Sequence, residues 1–302
     1  MNYIVYLAHG SQAVLDQVVF SILSYLHVLD EFPRDTRILV YCDRPELFSK
    51  LLSDLSFLKC EKLESDQIRS YRGTADFVHR VKIKVLQEVL RTHSGNMIFV
   101  DADTAFLRSP APLFEYINRG LFVMHVRERQ SRHFMRFLQS LDSLVATADL
   151  PNANGRPALR PSSVVMWNAG VIGLSAEKRP ILNAVLTMTD TILPLVPKKP
   201  KTIRSVCEQF AFSYVFQVEG VVLPADQYIY HYWDFKEEFG TVLREFFAHC
   251  DGRPLMQMIE ATARIPPRRL HQPKLEYDRL SRLPKLLRKL RGKRWEIPDW
   301  EI

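Results

Sequence analysis

The chain reads as an α/β protein built on a mostly parallel sheet flanked by helices, with a C-terminal helical extension. Three observations lead there. Short apolar runs alternate with longer amphipathic stretches from the N-terminus onward, the pattern of βαβ units. The run Met97-Ile98-Phe99-Val100 is apolar on both faces, as a strand inside a parallel sheet must be. It runs directly into Asp101-Ala102-Asp103, which sets two carboxylates at the carboxyl edge of the sheet, where open α/β sheets bind their ligands.

The elements follow in order. Tyr3–Ala8 is a strand ending at His9-Gly10, and a helix from Ser11 or Gln12 to about Asp30 has its apolar side at Leu15, Val18, Val19, Ile22, Leu23 and Leu26. Arg37–Cys42 is the second strand, and Asp43 caps a helix that has Pro45 in its first turn. Phe57–Leu63 is a third strand. Ala75–Thr92 forms a helix whose Phe77, Val81, Val85, Leu86 and Val89 share a face. Beyond the Asp-x-Asp strand come a helix at Pro110–Asn118, a strand at Leu121–Val126 and a helix at Ser131–Thr147. Leu150–Ser163 and Leu193–Lys201 are Pro-rich surface loops able to order over a bound ligand. Val164–Trp167 and Val171–Leu174 are strands on either side of Asn168-Ala169-Gly170, and Ser175 caps the next helix. Val206–Phe216 is an apolar helix opened by Glu208-Gln209; Gly220–Leu223 is a strand, His231 sits among aromatics, and helices occupy Glu237–Cys250 and Leu255–Ala263. No linker precedes Arg264, which divides a body of residues 1–263 from an extension of 264–302.

The 302 residues carry 47% hydrophobic and 25% charged side chains, ordinary for a globular protein with a substantial core. No stretch has the apolar length of a membrane span, and the N-terminus lacks the basic region of a signal peptide. The scattered Cys42, Cys60, Cys207 and Cys250 read as free thiols, and a cytoplasmic location is expected. The net charge of +7 is concentrated: residues 279–294 hold eight basic side chains and no acidic one, which leaves the rest near neutral. Leu280, Leu283, Leu286, Leu287 and Leu290 make this segment a basic amphipathic helix. It suits an anionic membrane surface, which would make the protein peripheral on the inner face of a membrane, or it docks its leucines on the core. A nucleic acid is not expected as a partner, because no aromatic stacking platform accompanies the charge.

Two close carboxylates repel unless a cation or a proton relieves them. Hard oxygen ligands suit Mg²⁺ or Mn²⁺, ions that also take substrate phosphates. Asp101 and Asp103 therefore point to a metal bridging the protein to a diphosphate. The plainer alternative is a helix cap with a solvated neighbour.

Four blocks, in order, carry a resemblance. They are Ile4-Val5-Tyr6-Leu7-Ala8 with the helix that follows it; Phe99-Val100-Asp101-Ala102-Asp103; Trp167-Asn168-Ala169-Gly170-Val171-Ile172-Gly173-Leu174; and Glu208-Gln209 at a helix start. The chain resembles nucleotide-sugar glycosyltransferases that have a single Rossmann-like domain and an Asp-x-Asp motif, the glycogenin-like enzymes of retaining type. The resemblance implies the nucleotide-diphospho-sugar transferase fold and a set of roles. Asp101 would meet the donor ribose or the metal, and Asp103 would ligate Mn²⁺ (or Mg²⁺). Ala8 and His9 would line the base. Asn168 and Gly170 would lie near the donor sugar or the acceptor. Glu208 would be a sugar contact or catalytic carboxylate, with Gln209 beside it. His231 resembles the late histidine that completes the metal site, although Asp234-Phe235-Lys236-Glu237 departs from the pattern that usually follows it. Arg72, Arg80 and Lys82 are candidates for the donor's phosphates; solvated helix charges would explain them equally.

The reading is a metal-dependent hexosyltransferase that takes a sugar from a nucleoside-diphosphate donor, UDP foremost, to a saccharide, lipid-linked or protein acceptor. Two alternatives stand beside it. A strand followed by Asp-x-Asp-Thr also resembles phosphatases of the haloacid dehalogenase type, but Ala105 occupies the place where that motif carries Thr or Val, and the motif here follows many residues of βα pattern. The other is a non-catalytic, membrane-associated protein that binds sugar nucleotides.

Overall fold

The computed structural model describes residues 1–128, 135–139, 142, 159–196, 204–290, 292 and 294–300. β1 (Asn2–Ala8), β2 (Thr36–Cys42), β3 (Leu58–Lys62) and β4 (Asn96–Val100) pair in parallel, with β1 between β2 and β4. β6 (Phe122–Met124), β7 (Val171–Ser175) and β8 (Val222–Pro224) complete a seven-stranded sheet of order β3-β2-β1-β4-β7-β6-β8. β7 is antiparallel to β4 and β6, while β6 and β8 are parallel to each other, so six strands run one way and β7 runs against them. The chain builds outward from β1 to β3 and then returns to β4 on the other side of β1. The carboxyl ends of β1 and β4 thus form the crevice at which such sheets bind ligands. β5 (Thr104–Phe106) and β9 (Ile229–His231) make a separate two-stranded antiparallel ladder beside it.

Helices cover both faces. On one lie α3 (Ser65–Arg72), α4 (His79–Thr92), α6 (Ile181–Ile192) and α7 (Cys207–Glu219), packed on Val5, Leu39 and Phe99. On the other, α1 (Gln12–His27), α2 (Pro45–Leu52), α5 (Ala111–Asn118), α8 (Lys236–Cys250) and α9 (Leu255–Ala261) pack on Ile4, Tyr6 and Ile98. α7 is buried from Cys207 through Phe216, as expected of a helix that is apolar all round. α10 (Pro267–Arg279) adds Leu270 and His271 to the second core, and α11 (Arg282–Leu290) follows it. All four cysteines are free. Among the described residues, no helix is long and apolar enough to cross a membrane.

Several elements differ from the sequence expectation. The helix expected over Ala75–Thr92 starts at His79, because Gly73 (φ 66°) and Asp76 (φ 48°) turn the chain first, and α3 precedes them. Val164–Trp167 is not a strand. It keeps a single antiparallel bridge, Trp167 to Arg127, with Glu128 N–H donating to the Met166 carbonyl (2.8 Å), and side chains of α7 take its other backbone bonds: Val165 N–H donates to Gln217 Oε1 (3.1 Å), Gln217 Nε2 donates to the Val165 carbonyl (2.7 Å) and Trp167 N–H donates to Ser213 Oγ (2.9 Å). Ser175 caps no α-helix; a 3₁₀ turn at Ala176–Lys178 intervenes before α6. Of the expected helix Ser131–Thr147, residues 135–139 and 142 are helical and the remainder lies outside the described residues. The same holds for most of the loop Leu150–Ser163, whose last three residues form a 3₁₀ turn, and for the end of the loop Leu193–Lys201.

Candidate active site

A cleft of about 500 Å³ opens at the carboxyl ends of β1 and β4. Asp101, Asp103, Asn168, Gly170, Glu208, Gln209, His231 and Lys82 all line it. The Asp-x-Asp segment is pinned from beneath by short hydrogen bonds. Thr104 Oγ1 donates to the Asp101 carbonyl (2.8 Å) and meets Ser21 Oγ of α1 (2.9 Å), which in turn meets the Tyr6 hydroxyl (3.1 Å). Asp101 N–H donates to the Gly170 carbonyl at 2.8 Å, which ties the Asn-Ala-Gly turn to the motif.

His231 ends β9 of the small ladder, and Asp103 immediately precedes β5. Thr104 pairs with His231 across the ladder, and Tyr232 N–H donates to the Asp103 carbonyl (2.9 Å). His231 Nε2 lies 3.1 Å from Asp103 Oδ1 and 3.9 Å from Asp101 Oδ2. One donor atom from each of Asp101, Asp103 and His231 falls within 4.8 Å of the others. Adjacent ligands around an octahedral Mg²⁺ or similar ion at 2.0–2.1 Å stand about 3 Å apart, so small adjustments let the trio hold such a cation.

The histidine's chemistry agrees. Asn168 Nδ2 donates to Glu128 Oε1 (2.6 Å), and Asn168 Oδ1 accepts from Gly170 N–H (2.8 Å), which fixes the orientation of the amide. Its oxygen is then 2.8 Å from His231 Nδ1, which must donate to it. Nε2 is left to face the two carboxylates, as a lone pair for a metal or as a proton donor to Asp103. Burial lowers the pKa of His231, but Asp103 and Asp101 outweigh it and the net direction is upward. Burial raises Asp103, yet His231 and then Lys236 bring it down to about 2. Both shifts describe a site that attracts positive charge. His125 stands edge-on to His231 with centroids 5.5 Å apart; burial and the charge on His231 outweigh the bond from Nε2–H to the Ile229 carbonyl (3.1 Å), which favours the charged ring, and bring its pKa down to about 3.

Gly170 makes this seat possible. A Cβ there would fall 2.2 Å from His231 Nδ1, so the histidine ring occupies the space a side chain would need.

Lys82 is not a solvated helix charge. Only 6% exposed, it reaches from α4 to Asp101 Oδ1 (3.0 Å), Glu208 Oε1 (3.2 Å) and the Ala169 carbonyl (3.1 Å). Burial opposes its charge, but the two carboxylates outweigh it and its pKa rises. One ammonium cannot neutralise both partners. Glu208, fully buried on α7, is pushed by burial to about 7, with Lys82 opposing and Asp101 adding to the rise. Gln209 spans the cleft floor, Oε1 accepting from Ala169 N–H (3.3 Å) and Nε2 donating to Glu128 Oε2 (2.7 Å).

Other expected residues stay apart from this cluster. Ala8 has a fully buried side chain, so only its backbone can meet a ligand. His9 lies near Asp43 and Arg72, where burial lowers its pKa. Arg72 pairs with Asp76 (2.9 Å) and is absent from the cleft lining. Arg80 is occupied by a two-pronged pair with Asp190 (2.8 and 3.0 Å). Three lining or supporting residues were not anticipated: Glu128, His125 and His79. Glu128 had a readable signal, since it follows the carboxyl end of β6 at the same sheet edge as Asp101. Trp233, 56% exposed, and Lys236, 3.7 Å from Asp103, stand at the rim.

No family model and no curated protein matches the chain. Among solved structures it is similar to the galactosyltransferase LgtC in complex with donor and acceptor sugar analogues (TM-score 0.49, 12% identity, 74% of each chain covered). It is also similar to mouse xyloside xylosyltransferase 1 (TM-score 0.48, 13% identity, 74% of this chain and 85% of that one). A third similar structure is the glycosyltransferase GlyE of Streptococcus pneumoniae (TM-score 0.45, 14% identity, 84% of this chain and 52% of that one).

Proposed function

We propose that the protein is a metal-dependent glycosyltransferase that moves a sugar from a nucleoside-diphosphate donor, a UDP-sugar foremost, to a saccharide or lipid-linked acceptor. One observation carries the reading. Residues from four separated sequence blocks, Asp101 and Asp103, Asn168, Glu208 and Gln209, and His231, line a single cleft at the switch point of the sheet. A packed aromatic cluster around His231 or a solvated cap at Asp103 would not account for that convergence.

Asp103 and His231 would hold Mn²⁺ or Mg²⁺, with Asp101 shared between the ion and Lys82. When bound, the cation supplies Lewis-acid stabilisation to the leaving diphosphate. The chain's own residues do the rest. Asn168 and Glu128 hold the His231 ring so that Nε2 faces inward. Lys82 stands between Asp101 and Glu208 and offsets part of their mutual repulsion. Glu208, with a pKa near neutrality, meets the sugar as a hydrogen-bonding or catalytic carboxylate, and Gln209 lies next to it. Lys236 at the rim adds positive charge for the diphosphate, and Trp233 offers a flat apolar face to a sugar ring.

Hydrolysis of a panel of nucleotide sugars without acceptor, with Mn²⁺ or with chelator, tests this in wild type and Asp103→Ala. Release of one nucleoside diphosphate that needs both metal and Asp103 is expected. Metal-dependent cleavage of a generic phosphomonoester, with no donor turned over or bound in calorimetry, would overturn it in favour of phosphatase chemistry.

A further inference from the structure

The sequence left α11 two roles, and the structure separates them. Leu283, Leu286, Leu287 and Leu290 are 66, 52, 47 and 74% exposed, and no residue of the helix is buried. Docking of these leucines on the core is therefore excluded. Their spacing places all four on one stripe, roughly 100° wide. Arg282, Lys285, Arg288 and Lys289 occupy the rest of the helix.

A nine-residue helix does not sustain itself in water, so its surroundings must hold it. They do so on both sides. Before it, α10 is fastened to β9 and the turn that leads into α8: Asp234 pairs with Lys274 (3.0 Å) and His271 (3.4 Å), Tyr230 Oη meets His271 Nδ1 (2.8 Å), and Phe235 stacks on His271 at 4.6 Å. At the corner, Lys285 Nζ donates to the Asp278 carbonyl (2.8 Å). After it, Trp295, Ile297 and Trp300 return to the core, Trp295 lying 6.0 Å from Phe235. The leucine stripe is thus held away from the body by two anchored flanks.

We infer that α11 seats the protein on an anionic lipid bilayer, its leucines entering the interfacial layer while Arg282, Arg288 and Lys289 meet lipid phosphates. The helix is far too short to span and lies in the plane of the surface. Charge selects this occupant: residues 279–294 carry eight cations and no anion, complementary to an acidic headgroup layer. A nucleic acid would use the cations and leave the leucines idle. The membrane contact stands on α11 alone; that the membrane presents the acceptor rests on the glycosyltransferase reading.

Sedimentation of the full chain with phosphatidylcholine vesicles, with and without phosphatidylglycerol, tests the inference. Anionic vesicles bind the wild type at least about tenfold more tightly than neutral ones. Leu286→Ser/Leu287→Ser weakens that binding at least about tenfold through lost apolar insertion, and Arg282→Glu/Arg288→Glu at least about thirtyfold, the worth of the two cations it removes. Both variants keep the wild-type thermal midpoint and donor hydrolysis, because these side chains are exposed and none of them lines the cleft. Vesicle binding by the leucine variant equal to wild type overturns the inference, as does a wild-type dimer that the leucine variant converts to monomer. Loss of donor hydrolysis in the wild type would refute the catalytic reading without touching this one.

Discussion

Replacing Gly170 by Ala adds one methyl group and should dismantle the metal seat. The added Cβ would lie 2.2 Å from His231 Nδ1 and 2.5 Å from Cε1, whereas ordinary contact begins near 3.4 Å. The ring must therefore retreat by about 1.2 Å. It has nowhere easy to go, since its side chain is 5% exposed, Nδ1 is bonded to Asn168 and Nε2 faces Asp103. Gly170 is outside the left-handed region, so the backbone itself tolerates Ala and the clash is the whole effect. Overpacking of this kind costs about 1–3 kcal/mol. Misorienting a metal ligand costs about 10–100-fold in affinity. Chemical denaturation and Mn²⁺ titration calorimetry read the two consequences separately. The double variant Gly170→Ala/His231→Ala supplies the decisive comparison: with the ring gone, the methyl group has room, so Gly170→Ala costs almost nothing in that background. A cost that persists undiminished without His231, or a Gly170→Ala protein with wild-type Mn²⁺ affinity, would refute the reasoning.

Other predictions follow from the same geometry. Glu128→Gln weakens the hydrogen bonds that hold Asn168 and Gln209, so Mn²⁺ affinity falls about 10–100-fold in calorimetry while the fold persists in circular dichroism. Lys82→Met leaves Glu208 and Asp101 without their cation and destabilises by about 3–5 kcal/mol in urea; Lys82→Met/Glu208→Gln recovers much of that loss, because one of the buried charges goes with it. Burial raises the pKa of Asp234, but hydrogen bonds from His271 and Lys274 outweigh it and hold it at about 2. Its folded pKa is depressed, so its contribution, at most about 2 kcal/mol, is present above pH 4 and lost as the pH falls toward 2. Denaturation across that window should show a slope that flattens in Asp234→Asn.

β1, β2 and β4 and the Asp-x-Asp pair were legible because a strand buried on both faces leaves an apolar run, and two carboxylates at the end of β4 stand out; β3, an edge strand with no buried residue, was legible only from its place in the βα alternation. Strand direction was not legible: Val171–Ser175 is as apolar read backward as forward, and only its partners make it antiparallel. Val164–Trp167 passed for a strand because it is extended and keeps one bridge to Arg127, while the side chains that take its other backbone bonds belong to a helix some fifty residues later. Lys82 looked like any solvated helix lysine, since its burial depends on Asp101 and Glu208 converging from separate elements. Glu128 sits in no motif; its meaning comes through Asn168 and Gln209, forty and eighty-one residues away. What a sequence displays is local pattern, and these residues are defined by distant company.

The two-stranded ladder that carries His231 and directly follows Asp103 acts as a calliper. Thr104 and His231 face each other as rungs, and the Tyr232 N–H to Asp103 carbonyl bond closes the next gap. The jaw between the two side chains is therefore set by backbone pairing, not by a pliable loop, and widening it means breaking a ladder bond. On the metal-dependent reading, an ion that seats at about 2.0–2.2 Å would need only small side-chain adjustments between these two ligands. The spacing of the two candidate ligands is in this way tied to main-chain hydrogen bonds between segments more than a hundred residues apart.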